Sequence, residues 1–156
     1  MRSLQVPLVI AGLLSLAGCS RGYESDVLGL RFEPPASMKL QREEAGPPPV
    51  AFFSSGLELR SIPGKPPSVA ESHLRQTLEE LRSSSGVSLP GELVSARAGT
   101  LPAGTVARYE LETENARTLL YVVPARDRTV LLRLTAPDSE YGRLQNQCER
   151  SLSTLT

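Results

Sequence analysis

The hydrophobic pattern begins with one continuous apolar run and then changes to short alternating segments. Residues 3–18 form a run of 16 uncharged positions that follows Arg2. A basic start and an apolar stretch are typical of an export signal, which is removed and takes no part in the fold. Because a membrane-spanning helix needs about 20 apolar residues, the short run favours a cleaved signal over a permanent span.

The apolar run ends in Leu16-Ala17-Gly18-Cys19. This motif resembles the bacterial lipobox, in which the cysteine is acylated and becomes the first residue of the mature protein. The signal-cleavage residues are then Leu16, Ala17 and Gly18, of which the two small ones would admit the peptidase, and Cys19 is the predicted lipidation site. Attached acyl chains would make the membrane a lasting partner. An ordinary cleaved signal with an incidental cysteine is the alternative.

These features divide the chain into three parts. We predict a lipoprotein signal peptide over residues 1–18, a lipidated tether over 19–27 and a single domain over 28–156. A domain of that size can bury a core without disulfide bonds. Because the tether is short, the domain is expected to stay close to its membrane.

Short segments of alternating polarity predict β-strands from residue 28 onward. The first covers residues 28–33 and is stopped by Pro34-Pro35. Residues 50–53 and 57–62 flank a Ser-Ser-Gly turn, which predicts a hairpin. The second half of the chain contains four more predicted strands: 93–98, 106–113, 118–124 and 129–136.

Two of these strands indicate how the sheet is covered. The strand 106–113 alternates, so its acidic residues share one face with Glu114, which follows the strand. We expect that face to be exposed, with Glu110, Glu112 and Glu114 meeting arginines of neighbouring strands, such as Arg97, Arg117 and Arg133. The strand 118–124 is apolar on both faces, which predicts a central position covered on both sides.

Two segments have apolar residues at helical spacing. The first follows a capping-box pattern, Ser68-Val69-Ala70-Glu71, and its apolar residues are Ala70, Leu74, Leu78 and Leu81. The second is predicted to be capped by Asp138, and its apolar residues are Tyr141, Leu144, Cys148, Leu152 and Leu155. The pattern therefore predicts an α+β fold, with a mainly antiparallel sheet of about six to seven strands flanked by two amphipathic helices as an α/β/α sandwich.

Charge and cysteine content limit the classes of partner. The chain has 17 basic and 17 acidic residues, so we predict no nucleic-acid partner. Acylation of Cys19 would leave Cys148 as the one free cysteine. Its place among the apolar residues of the last helix predicts a core residue rather than a reactive thiol.

Few residues could carry chemistry. His73 is the only histidine, which argues against a histidine-rich metal site or a Cys/His zinc cluster. We interpret His73 as a solvated residue on the flank of the first helix. The three glutamates of the acidic row would serve a sugar hydrolase or a calcium site only if they converged. We therefore predict no enzyme, no catalytic residue, no metal site and no cofactor.

Two stretches are similar to proteins of the PsbP-like fold. They are Leu28-Gly29-Leu30-Arg31-Phe32-Glu33-Pro34-Pro35 and residues 130–137 leading into Tyr141. In that group, which includes DcrB-type bacterial lipoproteins and the lumenal extrinsic subunit of photosystem II, a Gly-aromatic strand ending at proline opens the domain. A strand ending in Leu-Thr-Ala-Pro precedes the C-terminal helix. The resemblance implies this fold over most of residues 28–156 and a role as a binding or assembly partner.

The leading hypothesis is a lipid-anchored envelope protein that acts as a non-enzymatic binding or assembly module, with an envelope protein as its partner. The alternative is a small-ligand or lipid-binding lipoprotein with a pocket between sheet and helix, near the loops 46–49 and 63–67. Cys19 predicts attachment in a bacterial envelope with the domain facing the periplasm. Ser20 replaces the aspartate that retains many lipoproteins at the inner membrane, which favours the outer membrane.

Overall fold

Residues 22–156 are described by a computed structural model. The predicted signal peptide lies outside the described residues, and so do Leu16, Ala17, Gly18 and Cys19. The described chain has an α+β fold, as the hydrophobic pattern predicts.

A seven-stranded antiparallel sheet forms the centre of the fold. Its strands are β3 (Leu40–Glu44), β4 (Val50–Phe53), β5 (Leu57–Pro63), β6 (Glu92–Leu101), β7 (Gly104–Glu112), β8 (Ala116–Pro124) and β9 (Arg128–Pro137). They lie in the order β3-β4-β5-β9-β8-β7-β6, which places β9 in the middle. The predicted hairpin is confirmed as β4 and β5, and the four predicted strands of the second half are confirmed as β6 to β9.

A second sheet of two strands lies beside the first. It consists of β1 (Tyr23–Ser25) and β2 (Leu30–Phe32), with Tyr23 opposite Phe32. The backbone of β2 also bonds to Thr156: the Arg31 amide donates to the Thr156 carbonyl at 2.8 Å, and the Thr156 amide donates back at 3.0 Å. The last described residue is therefore joined to this small sheet.

Each face of the large sheet is covered by one helix. From α1 (Leu74–Ser84), Leu74, Leu78 and Leu81 pack with a cluster from β7, β8 and β9. The opposite face is covered by α2 (Asp138–Ser151) and by the hairpin β1–β2. The apolar residues predicted for the two helices are buried apart from Ala70, which is exposed before α1 begins.

The strand β8 is buried on both faces, as its sequence predicts. Leu119, Tyr121 and Val123 pack in the cluster under α2. Leu120 and Val122 belong to the cluster under α1. An apolar run without alternation therefore marks the strand that both helices cover.

The tether predicted over 19–27 is too long. Residues 23–25 form β1, in which the side chains of Tyr23 and Ser25 are buried. Leu28 is fully buried as well. The domain thus begins at or before residue 23, because residues 23–25 pair with β2 and the side chain of Tyr23 is buried.

Sequence reasoning also missed β3, in which all five residues are exposed. Its sequence, Leu-Gln-Arg-Glu-Glu, lacks the alternation that marks a half-buried strand. It forms an edge strand because β4 supplies its backbone partners.

The predicted caps of the two helices are wrong in detail. Glu71 does not bond back to Ser68 but accepts a hydrogen bond from the Ala98 amide of β6 at 2.6 Å. A 3₁₀ turn over Glu71–His73 precedes α1. Asp138 is the first residue of α2 rather than its cap, and no side chain caps that helix. The carboxylate of Glu71 thus connects the start of α1 to the sheet edge.

The acidic face predicted to be exposed on β7 is covered by α2 around Glu110, whereas Glu112 is partly accessible and Glu114 is exposed as the sequence predicts. Arg108 shares this face and is only 5% exposed. Its Nε donates to Glu149 of α2 at 2.6 Å, and an Nη donates to Glu110 at 2.7 Å. The alternation of residues along β7 predicts which side of the sheet these side chains face. It does not predict whether a helix covers that side. Arg108 therefore joins β7 to α2 through Glu149, and it also pairs with Glu110 on its own strand.

Replacing Arg108 should strongly destabilise the fold. Arg108→Met leaves two partly buried carboxylates without their cation, and loss of one partner from a buried ion pair costs about 3–5 kcal/mol. The free energy of unfolding in urea measures this loss.

Arg97→Met is the matched control. Arg97 lies directly opposite Arg108 in the register of β6 and β7 but is exposed. An exposed substitution should change stability by no more than about 0.5 kcal/mol. Equal losses for both variants would show that the ion pairs under α2 do not hold that helix.

Candidate functional sites

The most polar buried cluster of the described residues lies under α2. Two tyrosines complete the group around Arg108: Tyr121 donates to Glu149 at 3.0 Å, and Tyr141 donates to Glu110 at 3.2 Å. Each carboxylate thus accepts one arginine bond and one tyrosine bond through the same oxygen. The arrangement gives both carboxylates hydrogen-bond partners and connects β7, β8 and α2.

Protonation in this cluster favours the ion pairs. Burial opposes the charged form of Arg108, but its bonds to Glu149 and Glu110 outweigh burial and raise its pKa. Burial alone would raise the pKa of Glu110, yet the bond and charge of Arg108 hold it below the usual range. Burial, with the charge of Glu149, raises the pKa of Tyr121 to about 12. At neutral pH Glu110 is therefore charged and both tyrosines are neutral, so neither tyrosine is a ready base.

A second buried carboxylate, Glu58, lies on the α1 side of the sheet. It bonds to Arg60 on its own strand and accepts from Arg133 of β9 at 2.6 Å. Arg133 also donates to the Ser88 carbonyl, so it does not meet the acidic row as expected. Within that row, Glu112 does meet Arg117, at 3.6 Å. The glutamates of the row thus have different partners and do not converge.

His73 and Cys148 lie in different parts of the fold, and each has the environment that the sequence predicts. His73 is exposed at the end of the turn before α1, where a ring nitrogen lies 3.1 Å from the Ser72 hydroxyl. Cys148 is fully buried in the cluster under α2, and burial raises the pKa of its thiol to about 12. Across residues 22–156, no group of three or more histidine, cysteine, aspartate or glutamate residues could hold a metal ion.

The α1 side of β3, β4 and β5 forms a mixed surface that we call the Arg42 face. The guanidinium carbon of Arg42 lies 4.2 Å from the ring centre of Phe52, and the arginine side chain is 63% exposed. Phe52 lies opposite both Arg42 and Glu58, so the three share one side of the sheet. The face consists of Arg42, Glu44, Phe52, Glu58, Arg60 and Arg133.

A depression of about 400 Å³ lies between α1 and the loop 63–67. This is one of the places where the sequence suggests a pocket between sheet and helix. Its lining includes exposed Lys65 and Glu80 and only two buried residues, Leu81 and Thr129. It is a shallow surface feature.

A larger and more apolar cavity, about 570 Å³, lies at the end of β1. We call it the apolar groove. It is lined by Gly22, Tyr23, Pro34, Pro35, Ala36, Met38, Lys39, Leu40 and Phe53. Its residues come from three separate segments, so sequence reasoning missed it. The exposed Leu40 in an otherwise polar segment was the only signal available.

No α-helix within residues 22–156 has both the length and the apolar composition that a bilayer crossing requires. The predicted cleavage and lipidation residues lie before the described part of the chain.

The four tyrosines should all resist ionisation while the protein is folded. Burial raises the pKa of Tyr109 and Tyr121 to about 12, and burial with a neighbouring carboxylate also raises the pKa of Tyr23 and Tyr141. A raised pKa stabilises the fold below the unfolded value of about 10, and this contribution is lost as pH rises above it.

Tyrosinate absorbance at 295 nm, followed from pH 8 to 13, measures this effect. We expect little signal at pH 11 and a rise that coincides with loss of far-ultraviolet circular dichroism. In guanidinium the same chain should titrate near pH 10. The variant Tyr121→Phe should lose a quarter of the final amplitude, since the chain has 4 tyrosines. A quarter or more of the signal appearing near pH 10 in folded protein would contradict the structure.

Comparison with known proteins shows the fold. No family model matches the sequence, and no match to a curated protein is found. The solution structure of cyanobacterial PsbP (CyanoP) from Synechocystis sp. matches with a TM-score of 0.57 and 15% identity over 86% of this chain and 90% of that one. A crystal structure from Bacteroides thetaiotaomicron matches with a TM-score of 0.50 and 12% identity over 86% of this chain, which spans about half of that protein (47%). The chain thus has a PsbP-like fold.

Proposed function

We propose that this chain is a lipid-anchored protein of the bacterial envelope, similar to DcrB-type lipoproteins, that acts as a non-enzymatic binding or assembly module. The motif Leu16-Ala17-Gly18-Cys19 supports export and acylation of Cys19. On this proposal the domain faces the periplasm, and Ser20 favours the outer membrane. The likeness to CyanoP concerns the fold, which is compatible with many functions.

The placement of ionisable residues supports a binding role over catalysis. Every carboxylate of the two buried clusters is paired with an arginine: Glu58 with Arg60 and Arg133, and both Glu110 and Glu149 with Arg108. A catalytic carboxylate needs access to a substrate and a pKa suited to proton transfer. Among the described residues, His73 contacts the Ser72 hydroxyl but has no carboxylate bonded to its ring to orient it, and Cys148 is fully buried.

The observation that carries the binding proposal is the Arg42 face. The helix α1 packs with β6 to β9, and on β3 and β4 the same side of the sheet presents exposed Arg42 and Glu44 and half-buried Phe52. Arginine and aromatic residues are enriched in protein interfaces, where a few of them supply most of the affinity. Arg42 over Phe52 places both residue types on an open face, with Glu44 beside them for polar contacts.

The shallow depression beside α1 supports small-ligand binding less well. Ligand pockets bury most of the surface of their ligand and have largely apolar linings. Exposed Lys65 and Glu80 border the depression, and only Leu81 and Thr129 of its lining are buried, so it would leave much of a ligand in water. The described surface therefore supports binding to another protein better than binding to a small ligand.

Acylation is expected at Cys19 and nowhere else. Cells given an alkyne analogue of palmitate should label the parent chain and Cys148→Ala equally, because Cys148 is buried in the core. Cys19→Ser should lose the label and leave the membrane fraction. Labelling that survives Cys19→Ser, or an intact mass without acyl groups, would refute the anchor.

The Arg42 face should be the surface that meets the partner. A photoreactive amino acid at position 42 should give one reproducible cross-linked protein in intact cells. The control position is Arg97, an exposed arginine on the opposite edge strand β6, and it should give no such product. Adding Phe52→Ala should weaken the product, because interface aromatics of this kind contribute about 2 kcal/mol or more. The same products from both positions would exclude this face as the docking surface.

A further inference from the structure

The apolar groove stands out from the rest of the described surface by its lining. Tyr23, Met38 and Phe53 are buried residues within it, and Pro34, Ala36 and Leu40 line its more accessible part. Lys39 is its one charged lining residue. Concave sites with mainly apolar walls and a few polar groups are typical of ligand or lipid contact.

Leu40 is the one large apolar residue of the groove that is exposed, with 47% of its surface accessible. The other residues of β3 are glutamine, arginine and two glutamates. A single exposed leucine needs no explanation on its own. Here it borders an apolar cavity, so leucine and cavity form one continuous apolar surface.

The position of Gly22 relates this surface to the membrane. Gly22 lines the groove and lies three residues after Cys19. Three residues span at most about 11 Å when fully extended. If Cys19 carries lipid, the groove must lie at the bilayer end of the domain.

A second cavity borders the same residues but is polar. It is lined by Glu24, Arg31 and Glu33 as well as by Gly22 and Tyr23. Two surfaces therefore meet where the chain enters the domain, and only one of them is suited to contact with lipid. Burial of the apolar groove away from water is favourable, since its lining is mainly apolar.

We propose that the apolar groove is the surface with which the domain rests on a phospholipid bilayer, with Leu40 at the level of the acyl chains and Lys39 near lipid phosphates. This inference rests on the proposed lipid anchor at Cys19. The bilayer is the occupant rather than an acyl chain of the anchor, because an acyl chain drawn into an open groove would leave part of its length in water. Insertion of Leu40 and the rim of the groove into the headgroup and acyl boundary removes their apolar surface from water.

Tryptophan fluorescence tests the contact directly, because the chain contains no tryptophan. Leu40→Trp places a single reporter in the groove. Val94→Trp is the matched control, since Val94 is 49% exposed and lies on the opposite edge strand β6. Both acylated proteins are placed in vesicles of phosphatidylcholine and phosphatidylglycerol, with or without bromine on the acyl chains.

Bromine should quench the groove reporter about twofold or more, because side chains on interfacial surfaces enter the acyl boundary by about 5–10 Å. The emission of this reporter should also shift to shorter wavelength, and the control should show neither effect. Ala36→Trp, also in the groove, should behave like Leu40→Trp and serves if that variant folds poorly. Equal quenching of groove and control reporters would overturn the proposal.

The intact mass of the same samples distinguishes failure of the lipid anchor at Cys19 from failure of the groove contact. Acyl mass on Cys19 with equal quenching would overturn the groove contact and leave the anchor standing. Absence of acyl mass would overturn the anchor and the groove contact together. Acyl mass with selective quenching of the groove reporters would support both.

Discussion

The buried charge of Arg108 fixes the position of α2, and the N-terminal part of the domain depends on that helix. A guanidinium that is only 5% exposed needs carboxylate partners, and one of them, Glu149, belongs to α2. The 3₁₀ turn that follows α2 accepts the Glu33 amide through Thr154, and Thr156 pairs with Arg31 of β2. The β1–β2 hairpin then brings Tyr23 to Glu43 of β3. The ion pair is thus connected to the groove through a continuous set of hydrogen bonds.

Elements that bury an apolar side could be predicted from the sequence. The hairpin of β4 and β5, the strands β6 to β9 and both helices follow from period-2 or helical spacing, since each faces one of the two core clusters. The strands β1 and β3 could not, because neither carries an apolar alternation long enough to mark a strand, although each pairs with the next strand along the chain. β3 has no buried residue, and β1 has only three residues.

The candidate sites were less predictable than the fold. Alternation on β7 places Arg108 and Glu110 on one side of the strand. That α2 packs over this side depends on the tertiary structure and does not follow from the strand pattern. The groove combines Gly22 and Tyr23 with residues 34–40 and Phe53, and none of these segments is unusual alone. The Arg42 face likewise needs the register of three strands. Cys19 is predicted from its local motif alone, and because it lies outside the described residues its role stays a prediction.

The two edges of the sheet help to decide where a partner can bind. An open edge strand invites backbone pairing unless charge, a bulge or a covering group opposes it. β3 has three charged residues and a bulge between Leu40 and Arg42, and on β6 the Ala98 amide is already occupied by Glu71. Extension of the sheet by another strand is therefore disfavoured at both edges. Contact through side chains on the Arg42 face and in the groove remains, and both surfaces use β3, one on each of its sides.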